Sequence, residues 1–223
     1  MNSWPPPGIK WYYSDDYTAI AHGDCREILP TLPKVDLVLT DPPYGIALET
    51  AYRQRGRGRL AQCRNYPPVI GDTKSFDPTF ILKLNMPTCL FGANYYAEKL
   101  PHSSGWLVWD KRCGRMQNDQ ADAELAWTNF IKGVRVFHHE WNGFVKASEH
   151  GEGYHPTGKP VQLMLWILGL RWTPAGTILD PYMGSGGVLR ASKDLRRKCI
   201  GIEIEEKYCE IAVKRLRQEV LAL

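Results

Sequence analysis

The stretch TILDPYMGSGGVLRA, Thr177–Ala191, decides the fold. Thr177-Ile-Leu179 has the short apolar character of a buried strand, Asp180-Pro-Tyr-Met-Gly-Ser-Gly186 turns the chain, and Gly187–Leu195 carries its apolar residues at helical spacing. Glycines at 184 and 186 let a backbone approach a bound molecule closely, as in sites that cradle nucleotides. The full G-x-G-x-x-G spacing is missing, which argues against a nicotinamide site. The next apolar run, Lys198-Cys-Ile-Gly-Ile-Glu203, sets Glu203 at a strand end about 20 residues past the turn, where a carboxylate can hold ribose hydroxyls. A tight strand-to-helix connection would use the same glycines. The strand, the glycines and the following acid together favour binding.

Outward from this unit the chain keeps alternating. Strands are expected at Thr18–Ala21, Val35–Thr40, Thr88–Phe91, Trp106–Trp109, Gly133–Val136, Trp141–Val145, Thr177–Leu179 and Lys198–Ile204. Helices are expected at Asp24–Leu29, Pro78–Leu84, Ala93–Lys99, Gln120–Trp127, Pro160–Leu170, Gly187–Leu195 and Glu205–Leu221. This order implies an α/β fold, a mostly parallel sheet with helices on both faces, whose ligands gather at the C-terminal strand ends. The length suits one domain over residues 1–223, with its core at about 18–216 and loops at 51–65 and 146–157.

A hydrophobic fraction of 43% suffices for a core, and a net charge of +4 permits a polyanionic partner without requiring one. No run of 18 apolar residues is present, so no membrane span is expected. The polar, proline-rich Met1–Lys10 lacks the apolar centre of a signal peptide, which leads to the expectation of a cytoplasmic protein. The six cysteines are scattered without a C-x-x-C pair, so reduced thiols are expected rather than zinc or disulfides. His138-His139-Glu140 looks metal-like, but neighbours on a strand point to opposite faces, and no metal is expected.

A second strand pattern, Val35-Asp-Leu-Val-Leu-Thr40, delivers Asp41-Pro-Pro-Tyr44. This composition suits a particular chemistry. An exocyclic amino nitrogen is a poor nucleophile because its lone pair is conjugated into the ring. A carboxylate and a backbone carbonyl can accept its two hydrogens, leaving the nitrogen aimed at an electrophilic methyl group. Pro42 and Pro43 fix the backbone that carries the carbonyl. Tyr44 offers a face for a base taken out of its stack. Prolines after a strand also simply end its pairing, with Asp41 as a turn residue.

Basic residues cluster near this segment. Arg53, Arg55, Arg57, Arg59 and Arg64 follow it, interleaved with Gly56 and Gly58, and guanidinium groups on a glycine-rich backbone suit a phosphate groove. A solvated loop with no role is the plain alternative. Lys111, Arg112 and Arg115 follow an expected strand end and are further phosphate-contact candidates, whereas Arg190, Lys193, Arg196, Arg197 and Lys198 read as a solvated helix face.

These motifs resemble the DNA adenine-N6 and cytosine-N4 methyltransferases. Asp41-Pro-Pro-Tyr44 matches the family's catalytic motif, with the acidic first residue more frequent in the adenine branch. Asp180-Pro-Tyr-Met-Gly-Ser-Gly186 resembles its cofactor loop, with Tyr182 where phenylalanine is usual and Gly187 where threonine is usual. His155-Pro-Thr-Gly-Lys-Pro160 resembles the segment before that loop, Gly158 replacing a glutamine, and His22-Gly-Asp-Cys25 resembles the segment whose acid meets the cofactor's adenine. The resemblance covers most of Thr18 to Leu216.

It implies a circularly permuted, Rossmann-like class I methyltransferase, because the catalytic tetrapeptide precedes the cofactor loop as in the family's beta group. It also implies methyl transfer from S-adenosyl-L-methionine to N6 of adenine in DNA. Asp41, Pro42, Pro43 and Tyr44 would be catalytic. Asp24, Cys25, Asp41, His155, Lys159, Pro160, Asp180, Pro181, Tyr182, Gly184, Ser185, Gly186 and Glu203 would line the cofactor. Beta-group members are often dimers, which makes a homodimer the expected assembly. They usually carry a recognition region before the His-Pro-Thr segment, where this chain has only Lys146–Tyr154, so a short or relaxed target is expected. Cytosine-N4 methylation, an RNA substrate and an inactive nucleic-acid-binding module are the alternatives.

Overall fold

The apolar runs lie side by side in one sheet. The computed structural model describes residues 3–47, 70–114, 121–142, 145–148 and 158–218. The strands are β1 (Tyr13–Ser14), β2 (Thr18–His22), β3 (Leu37–Thr40), β4 (Thr88–Phe91), β5 (Gly105–Asp110), β6 (Ala123–Thr128), β7 (Val134–His138), β8 (Trp141–Asn142), β9 (Val145–Lys146), β10 (Ile178–Asp180) and β11 (Cys199–Glu203). The helices are α1 (Cys25–Ile28), α2 (Thr79–Leu82), α3 (Val161–Gly169), α4 (Gly187–Asp194) and α5 (Glu206–Arg217). Nine strands form the main sheet in the order β1-β2-β11-β10-β3-β4-β6-β5-β7. Among the described residues no helix is long and apolar enough to cross a membrane.

The strand period explains the layers. Along β3, Leu37 and Leu39 enter one core while Val38 enters the other, and β4 repeats this with Cys89 and Phe91 against Leu90. The first core is completed by α3, α4 and α5 through Leu163, Ile167, Val188, Leu189, Cys209 and Leu216. The second is completed by Cys25 of α1, Ile81 of α2 and Tyr96. Both faces are thus covered, which is why the central strands are apolar throughout rather than alternating.

Strands β2, β11, β10, β3 and β4 run parallel, with Ile178 opposite Leu37 on one side and Cys199 on the other. From β10 the chain steps outward to β11, and from β3 it steps the other way to β4. The crevice above the C-terminal ends of β10 and β3 is therefore the point where the winding reverses, the usual place for a ligand.

Three expected elements differ. The described part of the expected helix Gln120–Trp127 is a strand: β6 runs antiparallel between β4 and β5, with Leu90 opposite Trp127 and Trp109 opposite Glu124. Ala, Glu and Leu favour helix locally, but burial of Ala126, Trp127 and Thr128 between two strands overrides that preference. Trp141–Val145 is not one strand but the start of the separate hairpin β8–β9. Ala93–Lys99 forms two short 3-10 turns, Ala93–Tyr95 and Ala97–Lys99, rather than a helix. One strand was not expected: β1 pairs antiparallel with β2, so the sheet begins before residue 18.

The basic cluster in and after α4 is only in part a solvated face: Arg196 and Lys198 are exposed, but the other three are engaged. Arg190 is buried, pairs with Asp194 at 2.6 Å, and donates to the Gln218 carbonyl at 2.6 Å. Lys193 pairs with Asp15 at 2.6 Å, and Arg197 donates to the Pro174 carbonyl at 2.6 Å. These side chains tie α4 to α5, to the chain before β2 and to the loop before β10.

Candidate active site

The tetrapeptide begins where β3 ends. Thr40 is fully buried and its hydroxyl donates to Asp180 Oδ1 at 2.7 Å, which locks the ends of β3 and β10 together. The loop beyond is held from below by Asp72, whose Oδ1 accepts from Gly45 N at 2.7 Å and Ile46 N at 3.3 Å, while its carbonyl accepts from Ala47 N at 2.7 Å. Tyr44 stacks on Tyr95 with ring centroids 5.2 Å apart and planes 18° from parallel. Gly92 (φ 66°) lies flush against the Tyr44 ring, so any Cβ at that position would overlap it.

Around Asp41 the structure builds a charged array. Asp41 Oδ1 accepts from the Tyr44 hydroxyl at 2.5 Å, and Oδ2 accepts from Lys159 Nζ at 2.7 Å. The Lys159 ammonium also reaches Glu124 Oε2 at 3.0 Å and the Tyr44 hydroxyl at 3.1 Å. Glu124 Oε1 in turn accepts from Lys111 Nζ at 3.0 Å. Burial pushes the Asp41 carboxyl above its usual value, helped by the charge on Glu124 and opposed by Lys159. Burial would also raise Glu124, yet the Lys159 and Lys111 ammoniums outweigh it and bring Glu124 to about 2. Burial disfavours the Lys159 charge too, but Asp41 and Glu124 hold that amine firmly protonated.

The second end of the site is the glycine turn. Gly184 N donates to Glu203 Oε2 at 3.0 Å, and Glu205 N donates to Oε1 at 2.8 Å, which fixes the carboxylate at the tip of β11. Gly186 (φ 77°) caps α4 in the left-handed region, and a Cβ there would press on Ala212 of α5. Burial raises Glu203 and takes Asp180 to about 7, despite the bonds Asp180 accepts from Thr40 and from Tyr182 N. Asp24 caps α1 through Arg26 N at 2.9 Å and pairs with the Arg26 guanidinium at 2.5 Å, which lowers its carboxyl. Phe76 and Phe80 meet the Tyr182 ring edge-on at 5.8 and 6.4 Å.

One cavity of about 1330 Å³ joins the two ends. Its lining includes Asp24, Cys25, Asp41, Pro42, Pro43, Tyr44, Lys111, Lys159, Asp180, Pro181, Tyr182, Gly184, Ser185 and Glu203, all of them marked by the sequence. Pro160 and Gly186 are not in the lining but adjoin it in sequence, Pro160 after Lys159 at the N-terminus of α3 and Gly186 between Ser185 and Gly187 at the start of α4. Lys159, expected on the cofactor, is instead engaged by Asp41 and Glu124. Arg112 is a correction: its side chain is 5% exposed and pairs with Asp122 at 2.5 Å, so its guanidinium is not offered to a phosphate. Arg53, Arg55, Arg57, Arg59, Arg64, Arg115 and His155 lie outside the described residues.

His138 and His139 take different partners, Asp110 at 2.8 Å and Ser148 at 3.0 Å. Sequence reasoning missed Glu124, Tyr95 and Asp72, which all line the cavity. Glu124 was hidden by the helical reading of its segment; a strand reading would have set it beside Trp109 on the active edge.

Comparison with known proteins places the chain in a family. The DNA methylase family N6_N4_Mtase matches residues 108–214. The type II methyltransferase M.HinfI of Haemophilus influenzae is 40% identical over a gapped alignment of 255 positions, covering 94% of this chain and 71% of that protein. Relatives in Streptococcus pneumoniae and Lactococcus lactis, M2.DpnII and M2.LlaDCHI, are longer, and this chain spans 47% and 46% of their lengths. Two solved structures share the fold: the M1.HpyAVI–SAM complex (TM-score 0.54, 24% identity, 90% of this chain and 100% of that one) and the cytosine-N4-specific PvuII DNA methyltransferase (TM-score 0.64, 15% identity, 96% and 92%). The fold is that of a class I methyltransferase in permuted order. The chain belongs to the N6/N4 DNA methylase family.

Proposed function

We propose that this chain transfers a methyl group from S-adenosyl-L-methionine to the N6 amino group of adenine in DNA. The observation that carries the reading is the single cavity shared by Asp41-Pro-Pro-Tyr44 and the carboxylate-tipped glycine turn. The donor set fits the cofactor: Glu203 is pre-aimed by two backbone N–H groups for a ribose diol, Tyr182 and Phe80 offer an aromatic wall, and Asp24 stands at the rim for an adenine amino group. The bound cofactor supplies an electrophilic methyl group. The protein's own part is to hold the acceptor nitrogen, with Asp41 and the Pro42 carbonyl accepting hydrogen bonds from its two N–H groups, Asp41 placed to receive the one proton that leaves, and Tyr44 stacking on the ring.

The acidic first residue of the tetrapeptide favours adenine over cytosine. Arg53, Arg55, Arg57, Arg59, Arg64 and Arg115, with Lys111 at the cavity, are the proposed phosphate contacts. One methyltransferase domain, acting in the cytoplasm as a homodimer with a short target sequence, completes the reading. The family resemblance supports the dimer, and sedimentation checks it.

Incubation with methyl-labelled cofactor and duplex DNA, followed by digestion to nucleosides, should yield N6-methyladenine. Label in N4-methylcytosine would move the substrate to cytosine. Cofactor binding with no transfer to DNA or RNA would leave only a binding module.

A further inference from the structure

We propose that Glu124 is a positioning residue for methyl transfer: by sharing the buried Lys159 ammonium with Asp41, it keeps the Asp41 carboxylate aimed and basic enough to take a hydrogen from the substrate amine. This rests on the reaction proposed above. Neither the tetrapeptide nor the glycine turn contains Glu124. It arrives on β6, whose antiparallel direction brings its first residues to the active edge of an otherwise parallel sheet centre.

An ammonium has three hydrogens to donate. Those of Lys159 have three acceptors: Asp41 Oδ2 at 2.7 Å, Glu124 Oε2 at 3.0 Å and the Tyr44 hydroxyl at 3.1 Å. Tyr44 donates its own hydroxyl hydrogen bond to Asp41 Oδ1 at 2.5 Å, so Asp41 accepts from both Lys159 and Tyr44. The Lys159 side chain is 6% exposed, and solvent does little to weaken its attraction for a carboxylate. With Asp41 as its only anion, Lys159 would draw that carboxylate into a closed ion pair and reduce its power to accept from a substrate. Glu124 takes the third donor, and Lys111 balances Glu124 on the far side. Charges of alternating sign thus run Asp41, Lys159, Glu124, Lys111, and sum to zero.

The other groups facing Asp41 are Tyr44 and Tyr96 from the turns at the strand ends and Asp180 from β10. None of them can replace Glu124 as a partner of Lys159, because Tyr44 already serves the ammonium and Asp180 is held by Thr40.

The test is the titration of Asp41, followed by carbon-13 NMR of labelled carboxylates in the full chain, beside single-turnover methyl transfer across pH. Glu124→Gln leaves two cations facing one carboxylate, so the Asp41 midpoint and the acidic limb of the rate profile should fall by about one pH unit. The rate above that limb should drop about tenfold, with cofactor affinity unchanged. Lys111→Met releases Glu124 from its outer partner and should move the same midpoint upward. Glu124→Asp should restore the wild-type midpoint.

Opposite shifts support the array, since loss of packing alone would not move the midpoint in two directions. Unmoved midpoints, or shifts of one sign in both variants, would overturn it. Should Glu124→Gln fail to fold, Lys111→Met still decides the sign. Opposite shifts in a wild-type background that methylates nothing would defeat the reaction reading while leaving the charge array standing.

Discussion

At the scale of single residues, the site rests on a few side chains held in one orientation each. Asp41→Ala removes the acceptor for the amine hydrogen but touches none of the bonds that fix Glu203. Methyl transfer should fall by about 10²–10⁴-fold while cofactor affinity, read by calorimetry, stays near wild type. Near-normal turnover would remove Asp41 from catalysis. Glu203→Ala should act the other way, weakening cofactor binding first. Much of this was legible without coordinates, because Asp41, Tyr44, Asp180 and Glu203 sit at strand ends that the apolar runs announce. What was not legible is the partner each one takes. Lys159 sits before α3 in a segment that resembles a cofactor motif, and only the closure of the sheet shows that its amine meets Asp41 and Glu124.

At the scale of elements, β6 and the turn after β4 carry the site from behind. Trp127 is 1% exposed near the C-terminal end of β6, and its indole N–H donates to the Pro101 carbonyl at 3.1 Å. Trp127→Ala should destabilise the fold by about 3–5 kcal/mol in urea unfolding, from the cavity and the orphaned carbonyl together. A loss below about 1 kcal/mol would mean the sheet can repack there. Gly92→Ala tests positioning instead, because its left-handed φ and its contact with the Tyr44 ring leave no room for a methyl group. Turnover should fall more than stability does. A variant equally impaired in both would place the effect in folding, not in Tyr44.

Strands buried on both faces read clearly from the sequence as apolar runs, and Thr88–Phe91 falls where it was expected. The segment that became β6 did not, since its helix-forming composition conflicts with a place set by neighbours distant in sequence.

At the scale of the whole molecule, the permuted arrangement was legible in the order of motifs, the tetrapeptide before the glycine turn. The pairing of β6 between β4 and β5 needed the coordinates. Bringing Asp41, Asp180, Glu124 and Glu203 to one crevice has a consequence for stability that pH exposes. Asp180 is 3% exposed, and burial raises it from 3.8 to about 7. A carboxyl raised in the folded state binds more protons folded than unfolded between those two values. Its ionisation therefore removes stability as pH rises from about 4 toward 7.

Glu124 works in the opposite sense. Lowered from 4.5 to about 2 by Lys159 and Lys111 against the effect of burial, it adds stability above its unfolded value and loses it as pH falls toward 2. From these two groups the ligand-free protein should thus be most stable at about pH 4, between the unfolded values of Asp180 and Glu124, where Asp180 is still protonated in the fold and Glu124 already charged. Asp180→Asn keeps an oxygen for Thr40 and for Tyr182 N but carries no charge. In urea unfolding at about pH 8 it should exceed wild type by up to about 4 kcal/mol, with the gap narrowing toward about pH 5. Cofactor affinity should fall in the same variant, because the charge that burial disfavours is the one the site presents to its ligand. Parallel stability curves for the two proteins between those pH values would show that Asp180 does not titrate there.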